Sequence, residues 1–311
     1  MGHAPRSRLI GLLILLTCTA MTGCTTPLAY LMVSSPNRHN LWASPNNPVP
    51  PMEEMFGIAN ETFQVPVGPP EATLSVSIIE PPDQVEPKGT ILVVHGILAR
   101  AVTMMPVANA LSDNGYRAVL VDLRGHGRSS GSHLTFGVRE AADLSQVIDE
   151  LQRRNLVAGN LGVHGISYGA TTAIHLAARD PRIKAVVAVA PFSTVRDEIP
   201  HFGRLMAPGL GWVIPEQMYQ EAIDEAGRLA EFDPDGSDAV DAIQRTSAQV
   251  LLVHGTNDWV VPHRHSIRLH EAAPNHSQLV SVPAYGHIVI WVDPTSEVAQ
   301  QTVAWFDRWL Q

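Results

Sequence analysis

The stretch GISYG at residues 165–169 follows the short apolar run Leu161–Val163 and precedes a helical pattern that starts near Ala170. Between a strand and a helix, G-x-S-x-G forms a sharp turn that lifts the serine hydroxyl above the end of the strand. The glycines are needed because such a turn leaves no room for Cβ atoms beside the serine backbone. The stretch predicts that Ser167 is a nucleophile at a helix N-terminus, where developing negative charge is stabilised. The alternative is a structural serine.

On both sides of this turn, apolar runs and helical patterns alternate along the chain. The first run alternates apolar and polar residues, as a half-buried antiparallel edge strand does, whereas the later runs are continuously apolar and indicate burial on both faces. The predicted strands are Glu71–Ile79, Thr90–Val94, Ala118–Val121, Leu161–Val163, Ala185–Ala190, Val250–Val253 and Leu279–Val282. The predicted helices are about Thr103–Asn114, Val138–Arg154, Ala170–Ala178, Ile267–Ala273 and Glu297–Leu310. This alternation predicts an α/β fold, a mostly parallel central sheet with helices on both faces.

One interval breaks the alternation, the roughly sixty residues between Ala190 and Val250. It contains several proline and glycine residues and several short helical patterns. Inserted after a strand, such a segment lies over the carboxyl edge of the sheet. We therefore predict a small helical cap at about residues 191–247, within one domain that spans residues 56–311.

A serine hydroxyl needs a base, and the base needs an orienting carboxylate. Asp258 follows the next-to-last predicted strand, and His287 follows the last one. Because both side chains lie at carboxyl ends of parallel strands, we expect them to converge on Ser167 in the chain order Ser, Asp, His. The alternatives are that Asp258 caps a turn and that His287 is a loop histidine bonded to backbone.

Two backbone N–H groups are the candidate donors of an oxyanion hole. One belongs to Tyr168, the residue after the predicted nucleophile, and the other to Ile97, in the loop that follows an earlier strand. Gly96 lets the backbone of that loop come close to the reacting atoms. His95, beside it, is expected to be structural rather than an acid or base.

These motifs resemble those of an α/β-hydrolase-fold serine hydrolase, of the broad esterase, lysophospholipase and serine-aminopeptidase-like group. The resemblance covers about residues 72–310 and is also carried by DLRGHGRS at 122–129, GTND at 255–258 and GH at 286–287. It implies that Ser167, Asp258 and His287 are nucleophile, orienting acid and base, and that no metal or organic cofactor is needed. It implies that residues 122–129 form a structural turn. The chain departs from many relatives at Ile166, where they carry histidine.

The resemblance favours hydrolysis of a carboxylic ester through an acyl-enzyme, with a small ester or a lipid-like molecule as substrate. The apolar cap residues are Phe202, Leu205, Met206, Leu210, Trp212, Val213 and Ile214. They either shape a pocket for the substrate or form the core of the cap itself. The alternatives are a peptidase, thioesterase or C–C hydrolase that uses the same three residues, and a non-catalytic surface lipoprotein that binds a ligand. No pattern predicts an oligomeric state.

The composition excludes several classes of protein. Of the 311 residues, 45% are hydrophobic and 16% charged, which is typical of a globular chain and excludes disorder, collagen and coiled coil. The formal charge is −9 and the basic residues are scattered, so nucleic acid is not an expected partner. Cys18 and Cys24 are the only cysteines, and the rest of the chain therefore has no disulfide, thiol nucleophile or cysteine metal site.

The N-terminus has the pattern of a secretory signal peptide, predicted at residues 1–23. Arg6 and Arg8 precede an apolar run that is too short to span a membrane, and small residues follow up to Cys24. Residues 21–24, MTGC, resemble the lipobox of bacterial lipoproteins, with methionine in place of the usual leucine. The resemblance implies export to the bacterial cell envelope and a lipid on Cys24 as the only membrane contact. The alternative is an ordinary signal peptide and a periplasmic or secreted protein.

Residues 24–55 are predicted to form a tether. Proline, serine and asparagine are frequent there, and neither a helical nor a strand period is evident. The alternative is an ordered arm that wraps around the domain and is anchored by Trp42.

Overall fold

The computed structural model describes residues 25–39, 59–82, 85–287 and 297–311. The predicted signal peptide, Cys24 and Trp42 lie outside the described residues. None of the helices in these ranges combines the length and the apolar composition that a bilayer-spanning segment needs.

Among the described residues, eight strands form a single sheet. They are β1 (Glu61–Val67), β2 (Ala72–Ile79), β3 (Gly89–Val94), β4 (Arg117–Val121), β5 (Asn160–Ile166), β6 (Ile183–Val189), β7 (Gln249–Gly255) and β8 (Ser277–Val282). Their spatial order is β1-β2-β4-β3-β5-β6-β7-β8. The first three in that order pair antiparallel, and all later pairs are parallel. The predicted mostly parallel sheet is confirmed, and β1 is an additional edge strand.

Ten α-helices accompany the sheet in these ranges. They are α1 (Thr26–Val33), α2 (Met105–Asp113), α3 (Val138–Arg153), α4 (Tyr168–Arg179), α5 (Val195–Met206), α6 (Leu210–Val213), α7 (Glu216–Ala230), α8 (Ala239–Arg245), α9 (Arg264–Ala272) and α10 (Glu297–Trp309). All five predicted helices are present, with ends that differ by a few residues, as helix ends commonly do.

Two apolar cores lie on opposite faces of the sheet, because successive strand residues point to opposite faces. On one face, Val93 and Val187 pack with α2 and α10. On the other, Leu92 and Val186 pack with α3, α4, α8 and α9. Strands buried on both faces need apolar residues at every position, which explains the uninterrupted apolar runs of the central strands.

The insertion between β6 and β7 contains α5 to α8, and its last helix belongs to the main body. Ala239, Ala242 and Ile243 of α8 are fully buried, and the helix packs against α4 and α9. The cap therefore consists of α5, α6 and α7 and ends before α8, inside the predicted interval 191–247.

Residues 25–39 are folded onto the domain, in contrast to the predicted tether. Helix α1 packs along the cap helix α7, with Ala29 and Val33 fully buried. The backbone N–H of Leu134 donates to the carbonyl of Val33 at 2.8 Å, which fixes the end of α1 to the body. Pro27 is tolerated because it lies in the first turn of the helix, where its missing N–H costs nothing.

Candidate active site

Ser167 lies on the turn between β5 and α4, with a φ of 53°. A Cβ atom on Gly165 would meet the carbonyl of Gly169, and one on Gly169 would lie 2.5 Å from the carbonyl oxygen of His95. Both glycines of the motif are therefore required by contacts with backbone atoms that cannot move aside. The strained backbone of Ser167 is held by its N–H, which donates to the carbonyl of Val189 at 2.8 Å.

Substituting Gly169 by alanine is expected to lower the free energy of unfolding by about 3 kcal/mol, because the new methyl group overlaps the carbonyls at the end of β3. Urea denaturation measures the change. Gly236→Ala is the matched control, since its nearest neighbour would lie 3.6 Å away at an ordinary contact distance. Equal losses in the two variants would contradict the explanation.

Asp258 lies in the loop after β7, and both of its carboxylate oxygens have partners. Oδ1 accepts hydrogen bonds from the N–H groups of Val260 and Val261, each at 2.9 Å. Oδ2 accepts from Nδ1 of His287 at 2.7 Å and lies 3.4 Å from Nε2 of His254. Burial opposes ionisation of Asp258, but the hydrogen bonds from the two histidines and from Val261 more than offset it. Its pKa is therefore well below the ordinary value of a carboxyl group.

His254 is a residue of this site that the sequence analysis did not identify. It is fully buried near the end of β7. Its Nε2 lies 2.8 Å from the carbonyl of Val261, and its Nδ1 lies 2.7 Å from the hydroxyl of Ser266. These contacts fix the loop that carries Asp258. Its position next to Gly255, at the end of a predicted strand, is the sequence feature from which its place in the site could have been predicted.

His287 lies in the loop after β8, which is tied to the loop that carries Asp258. The N–H of Asn257 donates to the carbonyl of Tyr285 at 3.1 Å. A Cβ atom on Gly255 would clash with the same carbonyl, so this glycine allows the two loops to approach. With Nδ1 bonded to Asp258, the imidazole of His287 lines the cavity that Ser167 also lines. The structure thus brings together the three residues predicted from sequence.

The predicted donors Ile97 and Tyr168 both line this cavity. The loop of Ile97 is fixed by His95, whose Nδ1 lies 2.8 Å from the carbonyl of Gly96 and whose Nε2 accepts from the N–H of Leu123 at 3.0 Å. Burial lowers the pKa of His95 to about 4, so the ring is neutral and structural, as expected.

Tyr168 is anchored by its side chain. The hydroxyl donates to Oε1 of Glu140 at 2.8 Å and accepts from the N–H of Phe136 at 3.1 Å.

Asp122, in the 122–129 turn, accepts from the N–H groups of Ala101 and Arg128, so the turn supports the loop that follows β3.

The cavity has a volume of about 340 Å³, within the range of small-molecule sites. Most of its lining is apolar and comes from the loop after β3, the cap helix α5 and the segment after Asp258. Of the apolar cap residues named above, Phe202 and the largely exposed Met206 line it, whereas Trp212 and Val213 are exposed to solvent and do not line it. The side chain of Leu210 lies outside the described residues. The pocket interpretation therefore holds for Phe202 and Met206, and the exposed Trp212 and Val213 fit neither interpretation.

Glu198 is a second residue that the sequence did not reveal. It lies on α5, lines the cavity and is 7% exposed. Among the described residues, its Oε2 has no hydrogen-bond partner and lies 3.3 Å from Nε2 of His265. Burial raises the pKa of Glu198 to about 9, assisted by the negative charge of Asp258 and partly offset by Arg264. The carboxyl group is therefore uncharged at neutral pH.

Because the pKa of Glu198 is raised in the folded chain, the stability of the fold is expected to depend on pH. Between its ordinary pKa and about 9 the folded chain holds a proton that the unfolded chain has lost, so stability falls as pH rises through this window. Glu198→Gln cannot ionise and is expected to gain melting temperature relative to the wild type between about pH 5 and pH 9. Thermal scans across that range measure it, with Glu221→Gln on the exposed side of α7 as control. A difference that does not change with pH would contradict the prediction.

Among the described residues, no cluster of three or more histidine, cysteine, aspartate or glutamate side chains has an arrangement that could hold a metal ion.

Comparisons with known proteins agree with this fold. A family model described as serine aminopeptidase, S33, matches residues 85–234, and a model described as TAP-like protein matches residues 230–307. The curated relatives include uncharacterized protein YqkD of Bacillus subtilis, 25% identical over 58% of this chain and 59% of its own length. They also include uncharacterized protein YfhR of Escherichia coli, 24% identical over 70% of this chain and 69% of its own length. The match thus spans about three fifths of YqkD.

Solved structures are similar over most of the chain. The Pyrococcus furiosus esterase Pf2001 has a TM-score of 0.64 and 22% identity over 85% of this chain and 97% of its own. Est1E from Butyrivibrio proteoclasticus has a TM-score of 0.59 and 18% identity, over 79% of this chain and 97% of its own. A 2,6-dihydroxy-pseudo-oxynicotine hydrolase has a TM-score of 0.59 and 18% identity, over 80% of this chain and 68% of its own. The chain therefore has the α/β-hydrolase fold.

Proposed function

We propose that this chain is a serine hydrolase that cleaves carboxylic esters through an acyl-enzyme on Ser167. The observation that carries the proposal is one cavity lined by both Ser167 and His287, with the imidazole bonded to a buried carboxylate. A serine on a strained turn, a histidine and an orienting acid form the arrangement that activates a hydroxyl for acyl transfer.

In the proposed reaction, Nε2 of His287 takes the proton of the Ser167 hydroxyl while Oγ attacks the ester carbonyl carbon. The N–H groups of Ile97 and Tyr168 donate to the resulting oxyanion. Collapse of the tetrahedral intermediate breaks the bond to the alcohol, which leaves with the proton from His287. Water, deprotonated by the same imidazole, then releases the acid and restores the serine hydroxyl.

The apolar lining of the cavity supports an ester with an apolar chain as the substrate. One of the fold neighbours, Pf2001 of Pyrococcus furiosus, is named an esterase, which agrees with this class. The second candidate is peptidase activity, favoured by the match to the serine aminopeptidase model. Side-by-side turnover of an aryl ester and an aminoacyl anilide distinguishes the two.

A fluorophosphonate tests the nucleophile directly. The full chain and its Ser167→Ala variant are incubated with the reagent and weighed by intact mass spectrometry. One adduct on the wild type and none on the variant is the expected result. Adducts on both proteins would assign the reaction to another residue, and no adduct on the folded wild type would favour a non-catalytic binding protein.

We also propose that the chain is exported and anchored through a lipid on Cys24, on the basis of the signal and lipobox patterns. Because α1 starts at Thr26 and packs on α7, such an anchor would hold the cap close to the membrane. Metabolic labelling with an alkyne fatty acid is expected to mark the wild type and Cys18→Ala but not Cys24→Ala. Equal labelling of the two variants would overturn the anchor.

A further inference from the structure

Glu198 is a buried carboxyl group in the cavity for which the proposed reaction has no use. It belongs to the cap helix α5, whereas Ser167 and His287 belong to the body. A buried polar atom without a partner costs free energy, so an unbonded Oε2 beside an apolar cavity calls for a physical reason. A group on the substrate that completes its hydrogen bonding would supply that reason.

The surroundings define which oxygen of Glu198 is available. Nδ1 of His265 accepts from the N–H of Ser193 at 3.1 Å, so the ring proton of this neutral histidine is on Nε2. Burial lowers the pKa of His265 to about 3, which keeps the ring neutral. Its Nε2 atom lies 3.3 Å from Oε2 of Glu198 but forms no hydrogen bond with it. Because the two atoms are not hydrogen-bonded, Oε2 stays without a partner among the described residues, and it is the oxygen whose hydroxyl proton is available to a ligand in the cavity.

Burial and the surrounding charges together determine the protonation state of Glu198. Arg264 and His265 face it from α9, Asp258 from the loop after β7, and Asp197 from its own helix; His287 lines the same cavity. Burial is the largest cause of the raised pKa of Glu198; the two carboxylates add to it and Arg264 partly offsets it, so the carboxyl group stays neutral at neutral pH. A neutral carboxyl donates a hydrogen bond to an uncharged oxygen, and it offers no anion to an ammonium group.

We propose that Glu198 is a specificity-determining residue that donates a hydrogen bond to an uncharged oxygen, such as a ketone, on the chain of the ester substrate. This inference rests on the proposed esterase function. The site then prefers esters that carry an oxygen on an apolar chain to plain alkyl esters, because binding a plain chain leaves the buried carboxyl unpaired.

A matched set of substrates tests the preference. The p-nitrophenyl esters of hexanoate, 4-oxohexanoate and 5-oxohexanoate differ only in the added ketone, and the leucine ester adds an ammonium group. We expect the wild type to show a kcat/KM at least about 10-fold higher for one of the oxo esters than for hexanoate. Glu198→Met, of similar size and apolar, is expected to abolish that ratio, because it has no group that donates to the added oxygen. Glu198→Gln keeps an N–H donor and is expected to retain part of the ratio.

Other outcomes overturn the inference in distinguishable ways. If the wild type shows no preference for an oxo ester over hexanoate, or if Glu198→Met keeps that preference, Glu198 does not determine the specificity. A preference for the leucine ester that Glu198→Gln abolishes assigns an ammonium anchor instead. An equal loss on all esters, with normal fluorophosphonate labelling, assigns a structural role. A wild type that takes up no fluorophosphonate overturns the proposed function and this inference with it.

Discussion

Replacing Ser167 by alanine is expected to lower kcat for a carboxylic ester about 10⁶-fold. In the proposed mechanism the serine oxygen forms the covalent bond of the acyl-enzyme, and no neighbouring side chain in the described part of the cavity offers a comparable nucleophile. Turnover that remains would come from the oxyanion donors and from substrate binding alone. Steady-state hydrolysis of a p-nitrophenyl ester measures the loss.

The fold is expected to survive this substitution. Alanine, like serine, carries a Cβ atom, so the strain at a φ of 53° is unchanged. The melting temperature of Ser167→Ala should therefore match that of the wild type. Ser112→Ala is a suitable control: this buried serine of α2 donates to the carbonyl of Glu80, just after β2, and does not line the cavity, so its loss should leave kcat unchanged. Retention of more than about a thousandth of the activity in Ser167→Ala would contradict the role of this serine.

The sheet and the turn at Ser167 were predictable because their sequence signals are local. A strand that is buried on both faces must be apolar throughout, and β3, β6 and β7 are visible for that reason. The glycines of the turn are required by backbone contacts that any sequence with this turn must satisfy. Asp258 and His287 could be predicted from their positions after strands, since parallel strands bring their carboxyl ends together.

The elements that were not predicted depend on tertiary contacts. Strand β1 contains Pro66 and lies at the edge of the sheet, where the missing N–H is tolerated but the sequence pattern is weak. Helix α1 has eight residues, too few to be stable alone, and owes its order to packing on α7. Glu198 has no sequence signal, because its importance follows from the cavity into which the cap helix α5 brings it.

Asp258→Asn is expected to lower kcat about 10⁴-fold while the chain stays folded. The hydrogen bonds of Asp258 explain why an asparagine side chain at this position should lower kcat at least as much as removing the charge alone. The N–H groups of Val260 and Val261 both point at Oδ1, so the carbonyl oxygen of asparagine must take that place. Its NH₂ group then faces Nδ1 of His287, where the carboxylate oxygen Oδ2 now accepts a hydrogen bond at 2.7 Å.

An NH₂ group that donates to Nδ1 of His287 forces the ring proton onto Nε2. In this tautomer Nε2 cannot accept the proton of the Ser167 hydroxyl, so attack on the ester and labelling by a fluorophosphonate should slow together. Asp258→Ala is the matched comparison, because it removes the charge and lets His287 adopt either tautomer. We expect Asp258→Asn to be no more active than Asp258→Ala. An asparagine variant that keeps a tenth of the wild-type kcat would show that His287 does not depend on this carboxylate.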